Sequence, residues 1–192
     1  VAHEAIRFLR FMRAPPEERY VLASTRETRA LAYQRLEREL GELSPKIRPK
    51  VREGFEYFYD GILTQLVSTP GDFWINLYLK ENYPAFSDEL QRGISEIFRK
   101  AHSSLDAALS AITPRTIYRA TNSMNAALGQ FLDGLLDTRE YATPYHRTKY
   151  DSIGKALRLT NQTDRGHGGD REATDKWSQI LRLQGWYEWK KA

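Results

Sequence analysis

The chain contains no cysteine among its 192 residues. This absence excludes disulfide bridges, thiolate nucleophiles and zinc sites with sulfur ligands. A chain without disulfides fits a reducing compartment, so we expect a cytoplasmic protein. Long apolar runs are also missing, because no stretch approaches the roughly 18 residues that indicate a membrane-spanning helix. We therefore expect no membrane partner.

Groups that commonly carry catalysis or bind metals are few. The four histidines are His3, His102, His146 and His167. No two of them have the spacing with which one helix chelates a metal ion. Asp133 and Asp137 share a predicted helix face that would suit acid–base chemistry, but no histidine or second acidic pair lies near them in sequence, so a solvated face is the alternative. We predict no catalytic residues, no metal and no cofactor.

What the chain does contain is typical of a folded helical protein. Hydrophobic residues make up 41% and charged residues 28% of the sequence, which excludes a disordered chain. The formal net charge is +4, and the basic excess lies mostly in residues 1–50 and 151–192. A mild positive charge permits a polyanionic partner, although it also serves solubility.

Apolar residues at three- and four-residue spacing predict an all-α fold. The clearest stripe runs through residues 88–112, and Pro114 then starts a second stripe that extends to residue 137. Two stripes of matched length and period predict an antiparallel hairpin at the centre of a bundle of about six to eight helices. We expect one helical domain over residues 1–192, with a possible boundary at the basic, proline-punctuated connector 44–50.

The remaining helices follow from the same period and from proline and glycine breaks. Pro16 starts a helix in which Arg35 lies four residues before Glu39, a spacing typical of an ion pair. Residues 73–81 alternate as a strand would, but a lone strand has no partner, so a short helix is predicted. The predicted helices are 3–13, 16–41, 51–69, 73–81, 144–159 and a last helix after a glycine-rich polar loop at 161–171.

Basic residues on the outer helix faces are the main functional signal. Arg147, Lys155 and Arg158 fall on one arc of the predicted helix 144–159. The helix 114–137 has arginines near its start and aspartates near its end, which opposes the helix dipole and suggests a face that serves a partner. Such residues would contact phosphates in sequence-independent fashion. The candidate nucleic-acid-binding residues are Arg92, Arg99, Arg115, Arg119, Asn122, Arg147, Lys155 and Arg158.

Trp186 and Trp189 near the C-terminus are expected to be exposed and could stack on bases, although tryptophan more often packs in a core or contacts a partner protein. Arg139 and His146, with six residues between them, resemble the Arg-x(4–6)-His signature of the HEPN ribonucleases, which are small all-helical domains. The resemblance covers these two residues and implies ribonuclease activity. That family has its motif on a helix, whereas Thr143-Pro144 should break a helix here.

An all-helical build, mild basicity and a valine at position 1 together resemble the small helical subunits of multi-subunit CRISPR interference complexes. The resemblance is one of architecture and carries no sequence motif. It implies a non-catalytic subunit that lines a nucleic-acid channel in antiviral defence, with other protein subunits as partners.

Our leading interpretation is thus a non-catalytic helical subunit that binds the backbone of RNA or DNA within a larger assembly. Two further interpretations stay open beside the ribonuclease. One is a protein–protein interaction scaffold. The other is a helix-turn-helix DNA-binding protein, with residues 131–159 as the motif and 144–159 as its recognition helix.

Overall fold

The computed structural model describes residues 2–192, so Val1, on which the resemblance to CRISPR subunits partly depends, lies outside the described residues. Nine α-helices and one two-stranded sheet occur in the described chain. The all-α prediction is confirmed, and the helix count exceeds the predicted six to eight because two helices have only six and four residues. In chain order the elements are α1 Ala2–Arg13, β1 Tyr20–Ala23, α2 Arg26–Leu40, α3 Arg48–Glu53, α4 Phe55–Asn82, α5 Ser87–Ser103, α6 Ala107–Ser110, α7 Arg115–Leu136, α8 Lys149–Leu159, α9 Gly166–Leu181 and β2 Glu188–Lys191.

Helix α4 lies at the centre of the molecule. It packs against α7 and α9, and its buried residues Tyr59 and Phe73 belong to the main core. The Phe73 ring stacks on Phe131 of α7 at 4.4 Å between ring centroids, and Trp177 of α9 meets it edge-on. This core also includes residues of α2, α8 and the segment before β2.

The chain continues as one helix through Pro70, where we predicted an end near residue 69 and a separate helix 73–81. Proline lacks the N–H of the helical ladder, and this usually breaks a helix. Here the apolar residues on both sides of the proline are buried, and Asn161 donates a hydrogen bond to the Pro70 carbonyl at 2.9 Å. Tertiary packing therefore maintains the helix across the proline. The helical assignment of 73–81 is right, and its boundary is wrong.

A smaller core joins α5 to the distal half of α7 and to the segment that follows it. Ile94 and Phe98 of α5 pack there against Leu132, Tyr141 and Tyr145. The helix predicted for 88–112 ends at Ser103, because Asp106 accepts a bond from the Ala108 N–H and caps the separate short helix α6. The packing of α7 is most extensive against α8 and α4. The predicted 88–112 / 114–137 hairpin is therefore not the centre of the bundle.

The predicted helix 16–41 is wrong in its first half. Pro16–Glu18 forms a single 3-10 turn, and the next residues form β1. Helix α2 begins only after Thr25, whose side chain and that of Thr28 bond to each other's backbone N–H in a capping box. Strand β1 exists because it pairs antiparallel with β2 at the other end of the chain, and local sequence carries no signal for this pairing.

Two predicted helix boundaries near the C-terminus also differ from the structure. Helix α8 starts at Lys149 rather than at residue 144, because Thr148 is its N-cap and residues 143–145 form a separate 3-10 turn. The glycine-rich stretch that we assigned to a loop at 161–171 is helical from Gly166, which begins α9. The connector 44–50 leads directly into α3, and the main core contains residues from both sides of it. No helix within residues 2–192 has the length and apolar character needed to cross a membrane.

The close packing of α8 on α7 at Gly154 gives a stability prediction. A Cβ at this position would lie 2.9 Å from the Ala126 Cβ and from the Ala127 backbone nitrogen. We expect Gly154→Ala to lower the free energy of unfolding by about 1–3 kcal/mol, because the helices must move apart. The measurement is urea denaturation followed by circular dichroism.

Gly61→Ala is the matched control, since Gly61 lies within α4 and no neighbouring element comes within 4 Å of the position that a Cβ would take. Alanine is the better helix former, so this change should raise the free energy of unfolding by about 0.5–1 kcal/mol. Equal effects of the two substitutions would contradict the close approach of α7 and α8.

Candidate nucleic-acid interface

Arg119 is the predicted site residue that the structure places among other arginines. It lies on α7 and is partly exposed. Its guanidinium donates a hydrogen bond to the Ile180 carbonyl at 3.2 Å. That carbonyl is in the last turn of α9, where backbone oxygens have no partner within the helix.

Arg35 of α2 approaches the same helix end. It donates to the Arg182 carbonyl at 2.8 Å, and Arg182 itself follows α9 with a left-handed backbone at φ 63°. We call Arg35, Arg119 and Arg182 the arginine cluster. Three helices bring it together, because the partial negative charge at the end of α9 attracts cationic side chains.

The cluster has an excess of positive charge. Glu39 is the one carboxylate within 4 Å of its guanidinium groups in the part of the chain that the structure describes, at 3.9 Å from Arg35 Nε. It also accepts bonds from the Thr116 N–H at 2.8 Å and the Thr116 hydroxyl at 2.5 Å, and its single negative charge balances one of the three guanidinium charges. Partial burial lowers the pKa of Arg119 from its ordinary value, and the charges of Arg182 and Arg35 lower it further. The site therefore favours an added anion.

The free donors in the cluster suit an oxyanion. A guanidinium has five N–H donors in a planar fork, and the helix-end carbonyls use one hydrogen bond each from Arg35 and Arg119. The remaining donors match the geometry of a phosphate, which arginine binds in bidentate fashion. Arg115 lies one turn earlier on α7, at 3.6 Å from Glu42 and largely exposed.

Arg92 and Arg99 share one face of α5 and border a shallow depression of about 640 Å³. Each is paired with a glutamate three residues earlier, Glu89 and Glu96, at 2.8 Å. Hydrogen bonds from Arg99 and Lys100 lower the pKa of Glu96 to about 2. These arginines are exposed, but their charge is locally compensated.

Arg147, Lys155 and Arg158 were predicted to lie on one arc of a helix 144–159, but only Lys155 and Arg158 are on α8. Arg147 precedes α8 with a left-handed backbone at φ 67°. Lys155 is on α8 and is paired with Asp151 at 2.7 Å, while Arg158 is exposed further along α8. Neither Arg147 nor Arg158 has a carboxylate within 4 Å among residues 2–192. The placement of Arg147 on the predicted recognition helix is wrong.

The placement of Asn122 on an outer face is also wrong. Asn122 is fully buried, its Oδ1 accepts a bond from the Ser104 hydroxyl at 2.8 Å, and its amide donates to the Tyr118 carbonyl. The turn between α5 and α6 covers this side of α7, and a helical projection of α7 alone does not show it. Gln130 is likewise engaged, because its amide donates to Asp151 of α8.

The two aspartates of α7 have structural positions. Asp133 accepts bonds from the N–H groups of Glu140, Tyr141 and Ala142 and from the Thr138 hydroxyl, so it shapes the loop after the helix. Asp137 ends α7 with a left-handed backbone.

The residues of the HEPN-like pattern are not on a helix. Arg139 lies in the loop after α7, and His146 follows the 3-10 turn Thr143–Tyr145. The His146 ring is 4.0 Å from Asp151, and both Arg139 and His146 are exposed.

The C-terminal tryptophans are positioned by the core. Trp186, which we expected to be exposed, is buried and stacks on Tyr59 of α4. Trp189 lies on β2, is partly exposed, and donates a hydrogen bond to Asp175 of α9 at 2.9 Å. Base stacking by Trp186 is thereby excluded in this conformation.

Arg35 and Arg182 are the cluster residues that sequence reasoning missed. The four-residue spacing of Arg35 and Glu39 predicts an ion pair within α2, and this pair is present at 3.9 Å. The spacing gives no indication of the hydrogen bond from Arg35 to the end of α9. Arg182 stands between two buried leucines and carries no local signal. Within residues 2–192 no group of three or more side chains is arranged to hold a metal ion.

Comparison of the chain with protein-family models, with curated proteins and with solved structures gave no match. Function is therefore inferred from the residues and distances described above.

An anion that fills the arginine cluster should stabilise the fold. A ligand at about ten times its Kd adds about 1.4 kcal/mol, so about 10 mM pyrophosphate should raise Tm by ~3–6 °C if its Kd is near 1 mM. The reference is sodium chloride of equal ionic strength, and the measurement is thermal unfolding followed by circular dichroism. Arg119→Gln should abolish most of the shift.

Arg52→Gln is the control for the loss of one positive charge, because Arg52 pairs with Glu37 on the surface. This variant should keep the full pyrophosphate shift. The same shift in Arg119→Gln and in the unaltered protein would show that the anion binds elsewhere.

Proposed function

We propose that this protein is a non-catalytic helical subunit that binds the phosphate backbone of nucleic acid through the arginine cluster. The observation that carries the proposal is that Arg35 and Arg119 both donate to carbonyls at the C-terminal end of α9, where the exposed Arg182 follows the helix. Within the described chain, Glu39 is the one carboxylate within 4 Å of these guanidinium groups. Phosphate oxygens are the ligands that satisfy both the charge and the fork of donors.

A polymer of phosphates is favoured over a single small anion because the other uncompensated cations are spread over the surface. Arg147 and Arg158 are exposed, lie before and on α8, and have no carboxylate within 4 Å among residues 2–192. Arg115 of α7 is also exposed, with Glu42 at 3.6 Å. A chain of regularly spaced phosphates can contact several such residues and release a counterion at each. Arg92, Arg99 and Lys155 already have carboxylate partners, so we propose a smaller contribution from them.

The proposed binding is independent of base sequence. Arginine contacts to phosphate position a protein without reading bases, whereas amide side chains and aromatic rings read or stack on them. Asn122 is buried and Trp186 is buried, so neither is offered to a base. The helix-turn-helix interpretation is weakened in the same way, since Arg147 is not on the helix assigned to recognition.

The architectural resemblance to the small subunits of CRISPR interference complexes leads us to propose further that binding occurs within a larger cytoplasmic ribonucleoprotein assembly. An exposed cluster on a helical body is compatible with such a role, in which the chain contributes charge to a nucleic-acid channel and other subunits contribute recognition. RNA and DNA are equal candidates, since a phosphate contact does not distinguish them.

Salt dependence tests the proposal directly. Labelled mixed-sequence RNA, single-stranded DNA and duplex DNA of about 30 nucleotides are titrated with the full chain from about 50 to 200 mM salt by fluorescence anisotropy. We expect log Kd to rise linearly with log salt, with a slope of about 0.7 per contacted phosphate for single strands and about 0.9 for a duplex. The combined variant Arg35→Gln, Arg119→Gln and Arg182→Gln should lower this slope by the amount that corresponds to about two to three phosphate contacts.

A matched control removes three positive charges from ion-paired residues elsewhere, at Arg52, Lys100 and Lys190, each changed to Gln. It should change affinity much less than the cluster variant. Two outcomes contradict the proposal: no binding to any probe at about 50 mM salt, where backbone contacts are strongest, or equal weakening by the two triple variants.

A further inference from the structure

A groove of about 630 Å³ lies between α1, α4, α9 and the two-stranded sheet, away from the arginine cluster. Three large apolar side chains from three different elements line it while remaining substantially exposed. Phe8 of α1 is 62% exposed, Val21 of β1 46% and Val67 of α4 36%. Apolar side chains that converge on one open concavity indicate a binding surface.

The groove is open because α1 is attached by charges rather than by a core. No residue of α1 that the structure describes is fully buried. Arg7 pairs with Asp72 of α4, and Arg10 pairs with Asp164 and Asp170 at 2.8 and 2.9 Å. Long arginine side chains thus bridge α1 to the body of the protein, and Phe8 of α1 lines the groove.

One edge of β1 is unpaired and faces this groove. The Ala192 N–H donates to the Arg19 carbonyl, so these two residues form a hydrogen-bonded pair of the antiparallel ladder. Hydrogen-bonded and non-hydrogen-bonded pairs alternate along such a ladder. Leu22, which lies opposite Trp189, therefore belongs to a non-hydrogen-bonded pair and directs its backbone N–H and C=O away from β2. The Tyr20 carbonyl on the same edge accepts a bond from Nε2 of His167, a residue of the groove wall. In residues 2–192 the sheet has two strands, so no third strand covers this edge.

Arg171 differs from the other arginines at the groove. Each of those serves two carboxylates: Arg7 pairs with Glu4 and Asp72, Arg10 with Asp164 and Asp170, and Arg29 with Glu56 and Asp60. Arg171 has no carboxylate within 4 Å in the described part of the chain. Its guanidinium lies instead over the Tyr20 ring at 4.1 Å and near the Trp189 ring at 5.8 Å.

We propose that the groove binds an extended peptide segment of a partner protein, which adds a third strand to β1 at Leu22. Alternate apolar side chains of the peptide fill the space between Phe8, Val21 and Val67, and an acidic side chain pairs with Arg171. An open strand edge supplies backbone hydrogen bonds, and the adjacent groove supplies side-chain selectivity. An acidic side chain of the peptide is the expected partner of Arg171, because the other arginines at the groove are already paired.

This proposal goes beyond nucleic-acid binding and uses different residues. A strand rises about 3.3 Å per residue, so the four residues of β1 match a peptide of about four to six residues. Such a segment would attach the protein to another subunit while the arginine cluster remains accessible. An RNA in the groove is disfavoured by its apolar walls.

Selection from a peptide library tests the proposal and defines the preferred ligand in the same experiment. The full chain is immobilised and used to select from a display library of random linear heptapeptides, with counter-selection on the bare support. A Leu22→Pro variant, which lacks the outward N–H, is kept for the affinity measurements. Proline is tolerated at a strand edge whose N–H is unpaired, and circular dichroism checks the fold. We expect enrichment of alternating apolar residues with an acidic residue at one end.

The strongest selected peptide is then synthesised, and its Kd is measured by anisotropy. Leu22→Pro should weaken it at least about tenfold, because a backbone hydrogen bond is lost and its partner left unpaired. Val67→Arg, which fills the groove without altering the sheet, should weaken it as much. Arg171→Glu should weaken acidic peptides and favour their lysine-substituted versions.

Leu109→Arg, on α6 and outside the groove, is the control and should bind as the unaltered protein does. The Arg35, Arg119 and Arg182 triple variant should also keep full peptide affinity, which separates this proposal from the nucleic-acid proposal. The peptide proposal is wrong if no peptide is enriched, or if selected peptides bind Leu22→Pro and Val67→Arg unchanged.

Discussion

The fold depends on the continuity of α4 through Pro70. The Trp74 indole donates to Asn161, and Asn161 in turn donates to the Pro70 carbonyl, so the segment after α8 is bonded to α4 at its weakest point. Both bonds are buried, where an unpaired partner would cost about 1–3 kcal/mol. Because α4 remains one rod, α7 and α9 can pack along its length, and α1 can be held near its middle through Asp72. The positions of both proposed sites follow from this arrangement.

The two ends of α9 connect the structure to both proposals. At its C-terminal end, carbonyls that the helix cannot satisfy attract Arg35 and Arg119, and this stabilising contact concentrates positive charge beside Arg182. At its N-terminal end, Asp170 holds α1 and Arg171 stacks on the sheet. Helix α9 therefore contributes to the core, attracts the charges of the arginine cluster, and forms one wall of the groove beside β1.

The sequence predicts the parts of this fold that local periodicity determines. It locates α1 and α7 within a few residues and predicts that Arg119 lies on a solvent-accessible side of α7, since each depends on spacing within one helix. It misses features that depend on distant residues: β1 needs a partner strand at the other end of the chain, Asn122 is covered by a turn from α5, and Arg182 acquires its neighbours only through packing. The centre was misplaced for the same reason, because the most regular stripe, at 88–112, is not the most buried one.

Separation of the two proposed sites has a functional consequence. Helix α9 has 16 residues, which corresponds to about 24 Å between its ends. A nucleic-acid backbone at the arginine cluster and a peptide at β1 would therefore not exclude each other, and at physiological ionic strength their charges would be screened over that distance. One face of the molecule would contact phosphate while the other recruits a protein. In the proposed arrangement the chain would bring a protein partner to nucleic acid, at a distance set by the length of α9.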